Sequence, residues 1–217
     1  KKYLIGLEAI KKRGGLGIPI FKPREYNLDI IMRFKAAEDA GAVAVGIDID
    51  AASFRTMTLK GQAVGPKTIA ELQELKSHLK VPFILKGIMN VQSALAAIEA
   101  GADAIVVSNH GGRVMDHMPG TAEVLPEIAN AVGGRIKVLA DGGIREGIDI
   151  LKMLALGADA VMIGRPICIA AFGAGQEGVS FYLQEKLNEL KKAMILTGCG
   201  SIDHIDPSII FRKKGDR

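Results

Sequence analysis

Four short apolar runs in the second half of the chain each end in a polar or glycine-rich cluster. They are FILKGI from Phe83, AIVVSNH from Ala104, KVLADGG from Lys137 and AVMIGRP from Ala160. Segments with the apolar spacing of amphipathic helices separate them. Continuously apolar strands that alternate with such helices are typical of parallel βαβ units. The pattern therefore predicts an α/β fold built on a parallel sheet.

The first half of the chain continues this alternation. We expect a helix over residues 1–13, a strand around Ile18, a helix from about Asn27 to Ala40 with Asn27 as its N-cap, and a strand from Ala42. Residues 53–67 are predicted to form a loop. Pro66 is expected in the first turn of the helix that follows this loop.

The polar clusters stand where the predicted strands end. Because the carboxyl ends of parallel strands lie at one edge of a sheet, these side chains should converge on one mouth. In a βα-barrel that edge carries the active site, and phosphate groups usually bind in the loops after the last two strands. The residues expected at this mouth are Lys86, His110, Asp141, Arg145 and Arg165.

The motifs at these strand ends are KG, SNHGGR, DGGIREG and IGRP, in that order along the chain. Together they resemble the FMN-dependent α-hydroxy-acid oxidases and dehydrogenases, such as lactate oxidase and glycolate oxidase. The likeness extends from about Ala36 to about Phe211. The combination of SNHGGR, DGGIREG and IGRP is specific, whereas DGG or IGRP alone would indicate only a phosphate-binding barrel.

The apolar runs predict six strands, near Ile18, Val45, Leu85, Val106, Leu139 and Met162. A closed (β/α)₈ barrel has eight strands and typically about 250 residues. We therefore predict a TIM-type (β/α)₈ barrel of which this chain covers about six strands, as a single FMN-binding domain over residues 1–217 whose N-terminal part is missing or disordered. The alternative is a shortened arc whose bare strand edges are sealed by a partner subunit.

Composition adds a few restrictions. The 48% of hydrophobic residues can supply a core, and the net charge of 28 − 24 = +4 lies largely near the chain ends. Aromatic residues do not interleave with these charges, so a nucleic-acid partner is not supported. No apolar run approaches the roughly 20 residues of a membrane span. Cys168 and Cys199 share no CxxC spacing, so we expect reduced thiols in a cytoplasmic protein, and no metal site.

His110 follows an apolar run and precedes two glycines, which places it at the mouth, although a lone histidine there more often has a structural role. The resemblance implies that His110 is the active-site base. Its pKa should then lie near or below the working pH, because only the neutral imidazole accepts a proton. Asp48 and Asp50 are two apart on a predicted strand and should point to the same side. By resemblance Asp50 holds the histidine, and Asp48 replaces a threonine that contacts the flavin, where an anion would disfavour the reduced ring.

The resemblance also implies roles for further side chains. Arg113 would bind the substrate carboxylate with its guanidinium fork, and Arg55 is a candidate for a second substrate-binding arginine. Lys86 would stabilise the reduced flavin, and Ser108 could hydrogen-bond the same ring edge. Lys22 stands near the place of a Gln-x-Tyr motif that this chain lacks, and could substitute for it.

Two glycine-rich turns are expected to hold the cofactor phosphate. Gly142 and Gly143 allow close approach of the backbone, and Arg145 is expected to open a helix whose N–H groups and dipole favour an anion. By resemblance Asp141 bonds the ribityl hydroxyls. The phosphate ligands are then Gly143, Arg145, Gly164 and Arg165.

The sequence thus predicts FMN-dependent oxidation of a small (S)-2-hydroxy acid, such as lactate or glycolate, to the 2-oxo acid. The alternatives are an FMN barrel with non-oxidative chemistry, similar to type 2 isopentenyl diphosphate isomerase, and an inactive flavin-binding barrel fragment. The residues do not distinguish removal of the Cα proton from removal of the hydroxyl proton with hydride transfer. They also do not name the electron acceptor. A homotetramer is expected.

Overall fold

The computed structural model describes residues 2–211 and contains a six-stranded sheet in which all neighbouring strands are parallel and follow one another in chain order. Residues 1 and 212–217, which carry part of the predicted terminal charge, lie outside this range. The strands are β1 (Ile20–Phe21), β2 (Val45–Asp48), β3 (Phe83–Ile88), β4 (Ala104–Val107), β5 (Lys137–Ala140) and β6 (Ala160–Val161). All six predicted strands are present. Within the described range β1 and β6 are the two edges of the sheet, so the sheet is an open arc.

Helices connect the strands and cover the outer face of the arc, as βαβ units require. None of those in the described range is long and apolar enough to cross a membrane. Short 3₁₀ turns cover Ile49–Ala51 and Pro207–Ile209. The helices are α1 (Lys2–Lys12), α2 (Asn27–Asp39), α3 (Arg55–Thr58), α4 (Ile69–Ser77), α5 (Val91–Glu99), α6 (Thr121–Val132), α7 (Gly147–Ala155) and α8 (Arg165–Leu196), the last kinked at Ala174 and Gly175.

The predicted start of α2 near Asn27 is confirmed, but its predicted cap and the predicted start of the helix after Pro66 are wrong. Asn27 is the first residue of α2 and not its cap, and its side-chain amide donates to Glu74 Oε2 at 2.6 Å. The helix after Pro66 begins only at Ile69, where Thr68 and Glu71 form a capping box. The Thr68 hydroxyl accepts from the Glu71 amide at 3.2 Å, and the Glu71 carboxylate accepts from the Thr68 amide at 2.8 Å.

The two faces of the sheet have different surroundings. Side chains such as Ile47, Leu85 and Ile105 point outward and are buried against the helices. The alternate positions, such as Ile84 and Val106, form a smaller apolar cluster on the inner face. Side chains on a strand alternate with period two, so the residue two positions after each of these inner side chains, at the carboxyl end of its strand, also faces inward. We call these positions the inner row: Lys22, Asp48, Lys86, Ser108, Asp141 and Gly164.

Candidate active site

A cavity of about 560 Å³ opens at the carboxyl edge of the sheet. This volume lies in the range of about 300–1,000 Å³ that is usual for small-molecule sites. The strand ends predicted to converge do meet here. The lining residues are Lys86, His110, Gly111, Arg113, Asp141, Gly142, Gly143, Ile144, Arg145, Met162, Ile163, Gly164, Arg165 and Cys168.

His110 reaches the cavity wall from a turn just beyond β4. Its φ of 57° lies in the left-handed region, which histidine tolerates better than most residues, and Gly111 continues the turn with a φ of 67°. A Cβ at Gly111 would lie 2.8 Å from Arg165 Nη2, so a side chain there would displace this guanidinium group from the turn. All hydrogen bonds of the imidazole within residues 2–211 involve Nδ1. Nε2 is therefore left for a ligand.

Two carboxylates approach His110 Nδ1 from behind. Asp50 Oδ1 and Oδ2 lie 3.1 and 3.2 Å away, and Asp48 Oδ1 lies 3.4 Å away. The prediction that both aspartates share one strand is wrong. Strand β2 ends at Asp48, and a 3₁₀ turn carries Asp50 back toward the imidazole.

The carboxylates determine the direction of the pKa shifts. Hydrogen bonds to Asp48 and Asp50 raise the pKa of His110 above its ordinary value, although burial opposes this. This shift favours the charged imidazole, whereas the predicted role as a base requires the neutral form, and the expectation that the pKa lies near or below the working pH stays a prediction. Burial raises the pKa of Asp50, and the neighbouring Asp48 adds to this effect. Burial also acts against the charge of Asp48, but hydrogen bonds with His110, Asp50 and Lys22 outweigh it and lower the pKa of Asp48.

Gly87, the glycine of the KG motif, makes this arrangement possible, although no role was predicted for it. Its φ is 102°, and an added Cβ would lie 2.5 Å from Asp50 Cβ and 2.9 Å from the Asp50 amide nitrogen. The register of β3 against β4 shifts between Lys86 and Ile88, so Gly87 forms a bulge. A glycine inside an apolar strand is the available signal for such a close approach of backbone.

Lys86 lies at the centre of the inner row. Its Nζ is 2.8 Å from Ser108 Oγ, 3.4 Å from Asp48 Oδ1 and 3.5 Å from Asp141 Oδ2. Ser108 is 0% exposed and does not line the cavity, which differs from its predicted contact with the cofactor. Its hydroxyl oxygen accepts from Lys86 and from the His110 amide at 3.1 Å, so Ser108 holds both residues in place.

The two arginines predicted to bind substrate are placed differently. Arg113 is exposed on the cavity wall, in the same turn as His110. Arg55 is exposed at the start of α3 and is not part of the wall. The 3₁₀ turn follows β2 directly, and α3 begins at Arg55 after a short connection. The structure therefore does not bring Arg55 together with the other predicted residues.

The opposite end of the cavity is rich in unpaired polar groups. Asp141 Oδ1 is buried without a hydrogen-bond partner in the described range. The backbone amides of Gly142, Gly143 and Gly164 donate to no group of residues 2–211. Thr121, which the sequence did not indicate, supports this end because its hydroxyl donates to the Asp141 carbonyl at 2.6 Å.

One part of the predicted phosphate site is wrong. Helix α7 begins at Gly147 and not at Arg145, because Asp149 Oδ2 accepts from the Arg145 and Glu146 amides at 2.9 and 3.0 Å. Glu189 Oε2 accepts a hydrogen bond from the Gly147 amide at 2.6 Å. The start of α7 is therefore neutralised by the chain's own carboxylates, and its amides are not available to an anion. The donors that remain are the glycine amides and the guanidinium groups of the wall.

These groups match the polar parts of FMN. A phosphate needs clustered N–H donors and positive charge, and the wall offers glycine amides with Arg145 and Arg165. A hydroxylated chain needs acceptors, and Asp141 Oδ1 lacks a donor. A ring that gains negative charge on reduction needs a nearby cation, and Lys86 supplies one.

Comparisons with known proteins agree with this fit. The model of the FMN-dependent dehydrogenase family matches residues 58–212. A peroxisomal (S)-2-hydroxyacid oxidase of Arabidopsis thaliana is 35% identical over 88% of this chain and 61% of its own length, and an L-lactate oxidase of Lactobacillus jensenii is 39% identical over 91% and 50%. A solved structure of a mandelate oxidase variant has a TM-score of 0.85 at 37% identity, covering 93% of this chain and 65% of its own. Another, solved with an FMN adduct, has a TM-score of 0.83. The chain thus spans less than two thirds of the length of these relatives.

Proposed function

The chain belongs to the family of FMN-dependent dehydrogenases, and from that premise we propose that it forms the FMN- and substrate-binding part of an enzyme that oxidises a small (S)-2-hydroxy acid to the 2-oxo acid. The observation that carries the proposal is the position of His110. Its Nδ1 is held by Asp50 at 3.1 Å, and its ring lies on the wall of a cavity that also contains an exposed arginine and the candidate phosphate donors.

The side chains of this chain divide the work as follows. The Arg113 guanidinium binds the substrate carboxylate, which fixes the orientation of the hydroxyl-bearing carbon. Nε2 of His110 accepts a proton from the substrate. Asp50 keeps the imidazole in the tautomer with a proton on Nδ1, and its charge stabilises the imidazolium that forms.

The remaining residues of the wall would hold the cofactor. Arg145, Arg165 and the glycine amides of the two turns would bind the phosphate, Asp141 would accept from the ribityl hydroxyls, and Lys86 would lie near the ring. When bound, FMN accepts the two electrons that leave the substrate. Ser108, which is fully buried, fixes the lysine and the histidine relative to each other.

An anaerobic titration of the purified protein tests the proposal. The protein should be isolated with a flavin spectrum that bleaches on addition of L-lactate, glycolate or (S)-mandelate, and it should release one 2-oxo acid per flavin. A flavin spectrum that persists with all three acids would contradict the proposal, and would favour non-oxidative chemistry or an inactive flavin-binding fragment.

Substitution of His110 tests its role as base, with substitution of His204 as the matched control. His110→Ala should retain FMN but reduce the anaerobic bleaching rate by at least about 100-fold, the usual contribution of a general base. His204→Ala removes a histidine that is exposed and absent from the cavity wall, and should leave the rate unchanged. Equal rates in the two variants would remove His110 from the mechanism.

Assembly and location are part of the proposal. Exposed apolar side chains on α8, such as Phe172 at 94% and Ile169 at 73%, support burial against another copy, and we propose a homotetramer. The two free cysteines support a reducing compartment, which we propose to be the cytoplasm. Light scattering of the purified protein tests the first point, and fluorescence of a tagged protein in cells tests the second.

A further inference from the structure

Asp48 has more charged neighbours than its contact with His110 requires. It is 5% exposed, and a buried carboxylate is unfavourable unless cations or hydrogen-bond donors pair with it. Its two oxygens divide these partners. Lys22 Nζ bonds Oδ2, while Lys86 Nζ and His110 Nδ1 each lie 3.4 Å from Oδ1.

Lys22 reaches His110 by a second path as well. Its Nζ lies 4.6 Å from the centroid of the Phe54 ring. The Phe54 ring in turn packs edge-on against the His110 imidazole, with the centroids 4.8 Å apart. Lys22 is not part of the cavity wall, and its contacts with Asp48 and Phe54 link it to His110.

The charges around His110 come from several elements. On its own turn the charged residue is Arg113. Arg165 of α8 approaches the same turn, donating to the Gly111 carbonyl at 3.4 Å. The charged residues that face His110 from the other packed elements are Lys22, Asp48, Asp50, Lys86 and Asp141, the last through Lys86.

We propose that Lys22 is a positioning residue that acts on His110 through Asp48. By bonding Oδ2, the Lys22 ammonium holds the carboxylate of Asp48 back at 3.4 Å from Nδ1 and leaves Asp50, at 3.1 Å, as the nearer partner of the imidazole. Without Lys22, the charge of Asp48 is shared only between Lys86 and His110, and the imidazole binds its proton more tightly.

The consequence for turnover rests on the proposed function. A general base must be neutral before it reacts, and two carboxylates beside one imidazole favour the charged form. Lys22 offsets one of these carboxylates, so it widens the pH range in which His110 accepts a proton. The expected effect of Asp48 agrees with the direction of the pKa shift of His110, since hydrogen bonding to Asp48 is a principal cause of that raised pKa.

A double-mutant cycle with an NMR readout tests the inference in the protein without substrate. The imidazole titration of His110 is followed in the wild type, Lys22→Met, Asp48→Asn and the double variant. Lys22→Met should raise the pKa of His110 by about one unit, as expected for loss of a nearby charge, and Asp48→Asn should lower it. In the Asp48→Asn background, Lys22→Met should have little further effect, because the carboxylate that transmits it is gone. Lys22→Arg should behave as the wild type.

The contrary results are equally definite. An unchanged titration in Lys22→Met, or the same shift with and without the Asp48 carboxylate, would overturn the inference. If Lys22→Met does not fold, Lys22→Gln takes its place in the cycle with the same expected results. A pKa of His110 that fails to fall in Asp48→Asn would also overturn the inference, because Asp48 would then not act on the imidazole. The rate arm is separate. The acid limb of the pH profile of the anaerobic bleaching rate should shift by as much as the pKa of His110 measured by NMR. If the NMR shift is confirmed but the acid limb does not move, the proposed role of His110 as base is refuted, while the relation between Lys22 and His110 stands.

Discussion

Replacement of Gly87 by alanine is the most direct test of how the fold positions His110. The new Cβ would lie 2.5 Å from Asp50 Cβ and 2.9 Å from the Asp50 amide nitrogen. Because the Asp50 amide nitrogen belongs to the backbone, rotation of the Asp50 side chain cannot relieve the overlap. Left-handed backbone in a residue with a Cβ costs about 1–2 kcal/mol, and overpacking of a close contact costs about 1–3 kcal/mol. We therefore expect Gly87→Ala to lower the free energy of unfolding by about 2–5 kcal/mol.

The control is Gly134→Ala, which has a comparable φ of 74° but no atom within 4 Å of the added Cβ. It should cost only the backbone strain of about 1–2 kcal/mol. Urea unfolding of both variants measures the difference. A second readout is the imidazole titration, since displacement of Asp50 should lower the pKa of His110. Equal destabilisation of the two variants, together with an unchanged titration of His110, would refute the view that Gly87 admits Asp50 to the site.

Three further predictions concern pH, the cofactor and a helix cap. Because the pKa of His110 is raised, its ion pairs stabilise the protein fully below the unfolded-state pKa of about 6.5, and this stabilisation is lost as pH rises through the folded-state pKa. The rate of anaerobic bleaching should rise over the same pH window. A free energy of unfolding, measured with urea, that increases across this window would contradict the raised pKa of His110. Arg145→Ala should weaken FMN binding by about 10- to 100-fold, as expected for loss of a charge-assisted hydrogen bond. Arg135 lies outside the cavity wall, so Arg135→Ala should not change the affinity. Fluorescence titration of the apoprotein measures both affinities, and equal values would contradict the role of Arg145 in binding the phosphate. Thr68→Ala should lower the free energy of unfolding by about 1 kcal/mol without changing FMN affinity, because it removes only the capping box of α4; an unchanged urea midpoint would show that the cap is not stabilising.

The positions of Lys86 and Asp141 could be predicted because they depend on two regular features. Apolar runs indicate where parallel strands lie, and the period of two determines which side chain at each strand end faces inward. All parallel strands end at one edge, so residues far apart in the chain meet there. The resemblance of the motifs added the chemistry of the site. Together these arguments were sufficient to place His110 and the two glycine-rich turns on one cavity wall.

The errors come from contacts that no regular pattern describes. Asp50 leaves the strand in a 3₁₀ turn, and Asp149 reaches back to cap the amides of Arg145 and Glu146. The Asp149 cap depends on a side chain that competes locally for backbone amides, whereas the 3₁₀ turn brings Asp50 to a side chain of another element, His110. Apolar periodicity reports neither contact. The exposed position of Arg55 follows from the short helix α3, which lies within a segment predicted to be a loop. Gly87 was visible in the sequence, but its partner Asp50 is 37 residues away in number and close only in the fold.

The inner row explains which polar atoms of the site remain for a ligand. Along the row the charged side chains alternate in sign, with Lys22 beside Asp48, Asp48 beside Lys86 and, beyond the neutral Ser108, Asp141 close to Lys86. Opposite charges on neighbouring strands attract, so the row satisfies most of its own charges without help from outside. Two acceptor atoms of the site have no partner in the described range, namely Asp141 Oδ1 and, when the imidazole proton is on Nδ1, Nε2 of His110. When His110 is neutral with its proton on Nδ1, both atoms are acceptors, so the ligands of this cavity must bring hydrogen-bond donors to both. A polyhydroxylated cofactor chain and the hydroxyl group of a 2-hydroxy acid supply those donors.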